Sequence, residues 1–387
     1  MNVMKAVYNI HPATTDGCCS YENDNSPLRR LGSEEVTQAY QLCKEYLGGP
    51  WSEISIHEFE VNTLGGGLTN KLYICNLPPK YRSNDNDSVY PNTVLLRIYG
   101  LILQDFKAQI QESVVFSILA ERKVGPKLFA VFPGGRLEEY LPSRTLCTTD
   151  LFEPSTSRHI ARRIVEYHSL NMPVKKDPSF IISKLLTYLE NTKSAFFEDQ
   201  HKQSMFLKLC ACDIDSEVKF VNRLISKQDV VVFCHNDIQE GNLLYSDREC
   251  QGNPVQMIDF EYSSYNYRGF DLANHFCEWM YDYSHTSWPF FTYKIEHFAN
   301  SKQQENLIDA YLETSYKYLP ARRGDPKWQK PYLLDEIKRF TLLSHLFWTL
   351  WSVVQAQISD IGFGYLEYAL ARMDAYFKHK KLVTDRE

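Results

Sequence analysis

The sequence predicts a two-lobed α+β fold, with a small antiparallel sheet in the amino-terminal lobe and a larger, mainly helical carboxy-terminal lobe. Short β-type runs separated by turns occupy much of residues 54–141. Beyond residue 142 the apolar residues recur mostly at helical spacing. The chain has 387 residues, 44% of them hydrophobic, which is enough for one large core or for two lobes of ordinary domain size.

Composition sets the predicted domain boundaries. Residues 1–32 mix Asn, Asp, Ser, Thr and Gly with little apolar periodicity, which is typical of a disordered tail. The amino-terminal lobe is expected to cover residues 33–141. The carboxy-terminal lobe then covers residues 142–387, because the strand pattern gives way to a helical one near Pro142-Ser143.

Charge and cysteine content exclude several classes of protein. The chain carries 42 basic and 48 acidic residues, a formal net charge of -6, so the overall charge does not favour binding to nucleic acid. No apolar segment is long enough for membrane insertion, and the N-terminus lacks the pattern of a secretory signal. The 10 cysteines form no CxxC pair. We therefore expect a soluble cytoplasmic protein with reduced thiols.

The predicted elements of the first lobe combine two helices with five strands. A helix at Val36–Leu47 ends before Gly48-Gly49-Pro50, a sequence that stops helices. A second helix covers Asp105–Arg122. The predicted strands are Ile54–Leu64, Lys71–Asn76, Thr93–Gly100, Gly125–Phe132 and Gly135–Pro142.

Two features of this lobe suggest phosphate chemistry, and each has an ordinary alternative. The glycine-rich turn at residues 65–70 could bring backbone N–H groups close to phosphate oxygens, or could be only a tight turn. Arg97 is one cation in an apolar strand and should have an anionic partner, because an unpaired buried charge is costly. Glu112 on the next helix could supply a strand-to-helix ion pair of the kind kinases use. The alternative is an edge Arg97 and a solvated Glu112.

The second lobe is predicted to be mostly helical. Its helices are Ser157–Ser169, Phe180–Phe197, Lys202–Leu224, Asp271–Tyr283, Lys302–Tyr318, Tyr332–Ile361 and Phe363–Lys378. His168, near the end of the first of these, is interpreted as a structural histidine rather than a catalyst.

The strongest chemical pattern is a polar loop between two β-type runs, followed by a second run that ends in an acid. Asp237 and Asn242 lie in the loop, and Asp259 closes the second run. Phosphoryl transfer needs a carboxylate near the acceptor hydroxyl, and a second carboxylate with an amide oxygen to hold Mg²⁺. The alternative is a pair of polar turns between buried strands.

An aromatic group late in the sequence suggests a cation site. Trp348 and Trp351 are one helical turn apart and share a face. A quaternary ammonium ion donates no hydrogen bond, so aromatic faces and a nearby carboxylate hold it. Tyr283, Phe363, Tyr368 and Glu278 are further candidates. The residues alone leave open the alternative of a core stripe, which is the commoner reason for aromatic residues at this spacing.

Seven segments together resemble the choline/ethanolamine kinase family. They are Leu95–Arg97, Gly125–Leu128, Gly135–Glu138, Val232–Asn242, Ile258–Asp271, Asn274–Trp279 and Leu346–Ser352. The resemblance extends from about residue 35 to the end of the chain, and it implies a protein-kinase-like fold. Two departures from protein kinases agree with a small-molecule kinase: the glycine-rich turn lacks a third spaced glycine, and Glu261 replaces the glycine of the D-F-G motif.

The resemblance implies a role for each candidate residue. Asp237 is the catalytic base, and Asn242 and Asp259 complete the catalytic group by holding Mg²⁺. The nucleotide-binding residues implied in this way are Gly65, Gly66, Gly67, Leu68, Thr69, Asn70, Arg97, Glu112, Glu139, Leu141 and Gln239. The acceptor-binding residues are Asp237, Tyr262, Glu278, Tyr283, Trp348, Trp351, Phe363 and Tyr368. Residues 33–141 would then bind the nucleotide, and residues 142–387 would carry catalysis and the choline site.

The implied activity is Mg-ATP-dependent phosphorylation of choline to phosphocholine, the first step of the route to phosphatidylcholine. The partners are ATP and choline, with room for activity on ethanolamine, and the family implies a homodimer. The alternatives are an ethanolamine-preferring kinase, another small-molecule phosphotransferase such as an aminoglycoside kinase, and an inactive kinase-like binding module. Retention of Asp237, Asn242 and Asp259 argues against the last alternative.

Overall fold

The computed structural model describes residues 31–64, 70–83, 89–99, 106–250, 252–318, 324–359 and 361–384, without the side chains of 70, 106–111 and 247–250. The chain divides into two compact units. The first extends to Thr145 and also takes in Leu244–Ile258, and the second contains Leu146–Leu243 and the chain from Asp259 onward. The two strands that follow the polar loop therefore belong to the first unit, although they lie far from it in sequence.

The first unit is built on a five-stranded antiparallel sheet. Its strands are β1 (Glu60–Leu64), β2 (Asn70–Asn76), β3 (Thr93–Tyr99), β4 (Leu128–Phe132) and β5 (Gly135–Glu139). Their order in the sheet is β1-β2-β3-β5-β4, and every neighbouring pair is antiparallel. The central position of β3 explains its run of apolar residues, since both of its faces are covered.

Helices and a second sheet complete the first unit. The helices are α1 (Ser33–Leu47), α2 (Pro50–Glu53) and α3 (Phe106–Glu121), and the second sheet joins β6 (Arg144–Thr145), β8 (Leu243–Cys250) and β9 (Asn253–Met257). One apolar cluster unites the two sheets through Leu72, Leu95, Leu244 and Ile258. Apolar packing therefore explains why residues 244–258 belong to the first unit.

The second unit is mainly helical. Its helices are α4 (Thr148–Phe152), α5 (Pro154–His168), α6 (Ser179–Lys193), α7 (Gln200–Cys210), α8 (Ile214–Leu224), α9 (Arg268–Glu278), α10 (Ser301–Tyr318), α11 (Lys330–Ile358) and α12 (Tyr365–Thr384). Two antiparallel pairs lie among them, β7 (Val231–Cys234) with β10 (Ser264–Tyr267) and β11 (Tyr281–Asp282) with β12 (Thr292–Tyr293).

Helix α11 is the centre of this unit. It packs against α6, α9 and α12, and every side chain from Phe340 to Val354 is buried. An all-round buried helix needs no polar face, which is why its sequence shows little amphipathic pattern. Among the described helices, none combines the length and the apolar character needed to cross a membrane.

Several element predictions were wrong in detail. The predicted helix Asp271–Tyr283 ends at Glu278, and Tyr281–Asp282 is the strand β11. The predicted helix Lys202–Leu224 is two helices, because Asp213 adopts a left-handed backbone (φ 46°) and its carboxylate caps the N–H of Ser216. The predicted strand Ile54–Leu64 begins only at Glu60, because a turn at residues 55–58, closed by hydrogen bonds between Ser55 and Glu58, precedes it.

Candidate active site

Asp271 of α9 anchors the start of the polar loop that follows β7. One carboxylate oxygen of Asp271 accepts the N–H of His235 at 2.8 Å, and the other accepts the N–H of Asn236 at 2.6 Å. His168 Nε2 lies 2.9 Å from Asp271, and its Nδ1 lies 2.9 Å from the Tyr311 hydroxyl. His168 therefore positions the group that holds the loop, in line with the structural role predicted for it.

Asn236 fixes the loop from the other side. It has a left-handed backbone (φ 68°), a conformation that asparagine tolerates better than most residues. Its side-chain amide donates to the carbonyl of Tyr262 at 2.8 Å and to the hydroxyl of Ser264 at 2.9 Å. Its oxygen accepts from Asn266 at 2.7 Å. The next residue, Asp237, is consequently presented by a backbone held at several points.

Asp237 and Asn242 are brought together as the sequence predicts. The amide nitrogen of Asn242 donates to the backbone carbonyl of Asp237 at 2.9 Å and to its Oδ2 at 3.0 Å. Both amide hydrogens are thereby used, and Oδ1 of each residue is buried without a hydrogen-bond partner among the described residues. Unsatisfied buried oxygens are costly unless a ligand completes them. Carboxylate and amide oxygens suit Mg²⁺, so this donor set fits that ion.

The environment of Asp237 is strongly negative. Burial raises the pKa of its carboxyl well above the usual range, and the nearby charges of Glu278 and Asp259 raise it further. The hydrogen bond from Asn242 acts in the opposite direction. Asp259 itself follows β9 in a left-handed conformation (φ 63°). A cation near these groups would stabilise the ionised form of Asp237.

Seven aromatic side chains of the second unit form a continuous surface, here called the aromatic wall. Each ring centroid lies 5.0–6.1 Å from the next. In spatial order the wall consists of Tyr262, Trp348, Trp351, Tyr365, Phe363, Tyr368 and Tyr283. Six of these were predicted, and Tyr365 was missed although it lies two residues after Phe363.

Six of the seven rings in the wall are buried, and Tyr262 is half-buried. Trp348 and Tyr368 have no exposed surface, which is typical of core residues. The Trp348 indole donates to Asn274 at 2.7 Å, which fixes its orientation. Trp351 and Phe363 keep 6% of their surface exposed. The wall therefore consists mainly of buried rings, several of which retain a small exposed fraction.

The wall ends at a buried carboxylate, that of Glu278. The Tyr283 hydroxyl donates to Glu278 Oε2 at 2.6 Å and lies 2.8 Å from the Tyr368 hydroxyl. Arg372 of α12 is bonded to Glu278 Oε1, and its Nε donates to Tyr368 at 2.8 Å. We call these four residues the Arg372 network. Arg372 was not predicted from sequence, although its position one helical turn after Tyr368 was an available signal.

In the first unit, Arg97 lies in a different ion-pair arrangement from the one predicted. Its Nη2 is 3.3 Å from Glu138 Oε1, while Glu112 Oε1 is 2.8 Å from Arg136 Nη1. Glu138 Oε2 also accepts from Arg136 at 2.5 Å. These four residues form the Arg97 network, in which Glu138 and Arg136 stand between Arg97 and Glu112. The expected direct pair is replaced because Arg136 lies directly across from Arg97 on β5.

The buried position of Arg97 excludes the alternative of an exposed edge residue. Arg97, Arg136 and Glu138 expose only 4%, 3% and 2% of their surfaces. The charges of Arg136 and Arg97 lower the pKa of Glu138 despite the opposing effect of its burial. The network therefore holds fixed, ionised groups on one face of the sheet.

The remaining predicted nucleotide-binding residues have varied positions. Residues Gly65, Gly66, Gly67, Leu68 and Thr69 lie outside the described part of the chain, and Asn70 is described only as the first backbone residue of β2. Glu139 accepts the N–H of Lys127 at 2.9 Å. Leu141 packs on the apolar cluster that joins the two sheets. Gln239 caps the turn at Glu240–Asn242 by accepting the N–H of Gly241 at 2.9 Å.

Comparisons with known proteins identify a family for this chain. The sequence model of the family described as choline/ethanolamine kinase matches residues 61–377. A choline/ethanolamine kinase from Homo sapiens is 41% identical over 369 residues, covering 93% of this chain and 91% of that protein. Choline kinase alpha from Mus musculus is 40% identical over 367 residues, covering 89% of this chain and 80% of its own length.

A solved structure of similar fold adds an independent comparison. The choline kinase of Cryptosporidium parvum superposes with a TM-score of 0.73 at 26% identity, covering 91% of this chain and 97% of that structure. The predicted kinase-like α+β fold is thereby confirmed. The family model matches most of the chain, and the relatives are similar along nearly their whole length. The chain belongs to the choline/ethanolamine kinase family.

Proposed function

We propose that the chain transfers the γ-phosphoryl group of ATP to the hydroxyl of choline, giving phosphocholine and ADP. One observation carries the choice of acceptor. The aromatic wall ends at the carboxylate of Glu278, and the negative charge of Glu278 raises the pKa of Asp237. A quaternary ammonium ion binds ring faces beside negative charge. Its hydroxyl arm would then extend toward Asp237.

Asp237 would act on the acceptor hydroxyl. Its Oδ1 has no described hydrogen-bond partner, so it can accept the hydroxyl proton as the oxygen bonds to the γ-phosphorus and the bond to ADP breaks. The bound choline cation would favour ionised Asp237, offsetting the repulsion from Glu278 and Asp259. Trp351, Tyr283 and Phe363 would contact the trimethylammonium group, with Tyr262, Trp348 and Tyr368 fixing their positions.

Mg²⁺ is the cofactor that this proposal requires. Asn242 and Asp259 would hold it, because the amide hydrogens of Asn242 already point to Asp237 and leave Oδ1 available. When bound, the ion would neutralise charge on the transferring phosphates. For the nucleotide we propose Arg97, supported by Glu112 through the rest of its network, together with Glu139, Leu141, Gln239 and the glycine-rich turn.

The proposal also extends to the setting of the enzyme. By family resemblance we propose a cytoplasmic homodimer that supplies phosphocholine for phosphatidylcholine synthesis. An ethanolamine-preferring enzyme is the nearest alternative, because a primary ammonium would also be attracted to Glu278. An aminoglycoside acceptor is less suitable, since a polyamine needs several acidic side chains and the wall offers mainly ring faces.

Steady-state phosphorylation of choline and of ethanolamine by the purified chain with MgATP tests the main proposal. We expect transfer to choline with the higher kcat/KM. Inertness toward both acceptors, with MgATP still bound, would instead support the inactive binding module. Light scattering of the same preparation tests the homodimer.

The substitution Asp237→Ala tests the role of the proposed base. It should abolish turnover and leave ATP binding largely intact, because it removes the proton acceptor but no proposed nucleotide contact. Asp309→Asn is a matched control, since this partly exposed carboxylate pairs with Lys330 on the surface of α10. Turnover at the wild-type rate by Asp237→Ala would remove Asp237 from the catalytic role.

A further inference from the structure

The Arg372 network forms a closed cycle of hydrogen bonds behind the proposed acceptor site. Arg372 bonds both Glu278 Oε1 and the Tyr368 hydroxyl. Tyr283 bonds both Glu278 Oε2 and the Tyr368 hydroxyl. Arg372 and Glu278 have no exposed side-chain surface, so solvent does not weaken the cycle.

The chemistry of the four groups fixes the direction of every bond in the cycle. An arginine can only donate, and an ionised glutamate can only accept. The single proton of the Tyr283 hydroxyl goes to Glu278. The proton of the Tyr368 hydroxyl therefore points to Tyr283, and the Tyr368 oxygen accepts from Arg372. The cycle leaves each oxygen of Glu278 already holding one donor.

Primary and quaternary ammonium groups make different demands on such a carboxylate. A primary ammonium is compact, strongly hydrated and donates three hydrogen bonds that must be replaced on binding. A quaternary ammonium donates none, and ring faces satisfy it. The positive charge of Arg372 lies directly against Glu278, where it competes with hydrogen-bond donors for the carboxylate. A compact ammonium loses more from this competition than a methylated one does.

We propose that Arg372 is a specificity-determining residue that makes the acceptor site favour a quaternary over a primary ammonium. It does so by holding Glu278 and the two tyrosine hydroxyls in a closed cycle, so that the cation is bound by the aromatic wall rather than by the carboxylate. This inference rests on the proposed function, because it concerns which amino alcohol the same site accepts.

The test compares kcat/KM for choline and for ethanolamine in the full chain and in Arg372→Gln. We expect the ratio of choline to ethanolamine to fall by at least about tenfold, the effect of one charge-assisted hydrogen bond gained by the primary ammonium. The freed negative charge attracts both cations, so the ratio is the informative quantity. A purely structural loss would lower kcat/KM for both acceptors by the same factor and leave the ratio unchanged.

Two further variants of α12 control for charge. Arg372→Lys keeps a cation beside Glu278 and should restore most of the choline preference. Lys378→Gln removes a positive charge from an exposed pair with Asp374 on the same helix and should leave the ratio at its wild-type value. A shift in Lys378→Gln equal to that in Arg372→Gln would mean that net charge alone sets the ratio, and would overturn the proposal.

Tyr283→Phe keeps the proposal testable if Arg372→Gln does not fold. It preserves the ring face and the pair of Arg372 with Glu278, but frees Glu278 Oε2. We expect a several-fold fall in the choline to ethanolamine ratio, and an unchanged ratio would overturn the proposal. If the wild type were inert toward both acceptors, the proposed function would fail. If the wild type transferred phosphate to choline but the ratio did not respond to these variants, only the proposal for Arg372 would fail.

Discussion

Each compact unit contains a buried network of arginine and glutamate, and the two networks balance charge in different ways. In the Arg97 network, the carboxylate of Glu138 bonds two guanidinium groups, those of Arg97 and Arg136. In the Arg372 network, one guanidinium and one carboxylate are joined by neutral tyrosine hydroxyls. In the first network a carboxylate links the two guanidinium groups directly, and the Tyr99 hydroxyl accepts from Arg136 at its edge, 3.1 Å away. In the second, two tyrosine hydroxyls are needed to close the cycle.

The origin of the residues explains the difference. Arg97, Arg136 and Glu138 lie on the neighbouring strands β3 and β5, so the register of one sheet sets their distances. Glu278 and Arg372 come from α9 and α12, and meet only when the helical unit has folded. Under the proposed function, the network on the sheet would hold a fixed nucleotide contact, and the network between helices would tune the acceptor site. Substitutions should therefore affect the two networks unequally.

The largest effect is expected from Glu138→Gln. It removes the carboxylate that two buried guanidinium groups share, and breaking a buried ion pair in this way costs about 3–5 kcal/mol of unfolding free energy. Urea denaturation followed by circular dichroism measures the loss. Glu60→Gln is the matched control, because its pair with Arg82 is exposed and should contribute less than about 1 kcal/mol. Equal losses in the two variants would show that burial of the network does not matter.

A smaller effect distinguishes the units by their response to acid. Burial lowers the pKa of His275 and of His379 to about 4, and lowers that of His345 well below its usual range. All three are in the second unit, and His345 lies 3.0 Å from His379. These imidazoles stay neutral in the folded state but take up protons in the unfolded state below about pH 6.5. Above that pH these histidines do not lower the free energy of unfolding. As the pH falls from 6.5 toward 4, the unfolded state binds more protons and the free energy of unfolding decreases.

His379→Gln should make unfolding less sensitive to acid. One depressed histidine contributes a slope of about 1.4 kcal/mol per pH unit in this window, so the variant should lose about 2 kcal/mol less than the wild type between pH 7 and pH 5. Urea denaturation at both pH values measures this difference. His57→Gln makes the same change at an exposed site of the first unit and serves as the control. Identical slopes in the wild type and His379→Gln would contradict the prediction.

The proximity of Asp237 and Asn242 could be predicted from sequence because the two residues are close along the chain. Asp237 and Asn242 are five residues apart, and the short turn between them brings amide and carboxylate together, while residues distant in sequence such as Asp271 anchor the loop. The fold class followed from the change of apolar period near residue 142. The spacing of Asp237 and Asn242 in the sequence is therefore enough to predict that their side chains lie close together.

Partners that depend on tertiary packing could not be read in the same way. Glu112 was matched to Arg97 on spacing, but strand register puts Arg136 of β5 opposite Arg97 and Glu138 two residues further along the same face. Arg372 follows Glu278 by 94 residues, and only the approach of α12 to α9 makes them neighbours. The membership of residues 244–258 in the first unit could not be predicted either, because apolar packing between sheets leaves no local sequence motif.

The smallest effect is expected from Tyr368→Phe, which removes one neutral hydroxyl from the Arg372 network. The charges of Arg372 and Glu278 stay paired, so the cost should be that of a buried hydrogen bond, about 1–2 kcal/mol, and well below the loss in Glu138→Gln. Tyr293→Phe is the control, because its hydroxyl bonds Asp374 at the surface and its loss should be within about 0.5 kcal/mol. Urea denaturation of both variants checks the order. A loss in Tyr368→Phe as large as that in Glu138→Gln would mean that the hydroxyls, and not the ion pair, hold the helices together.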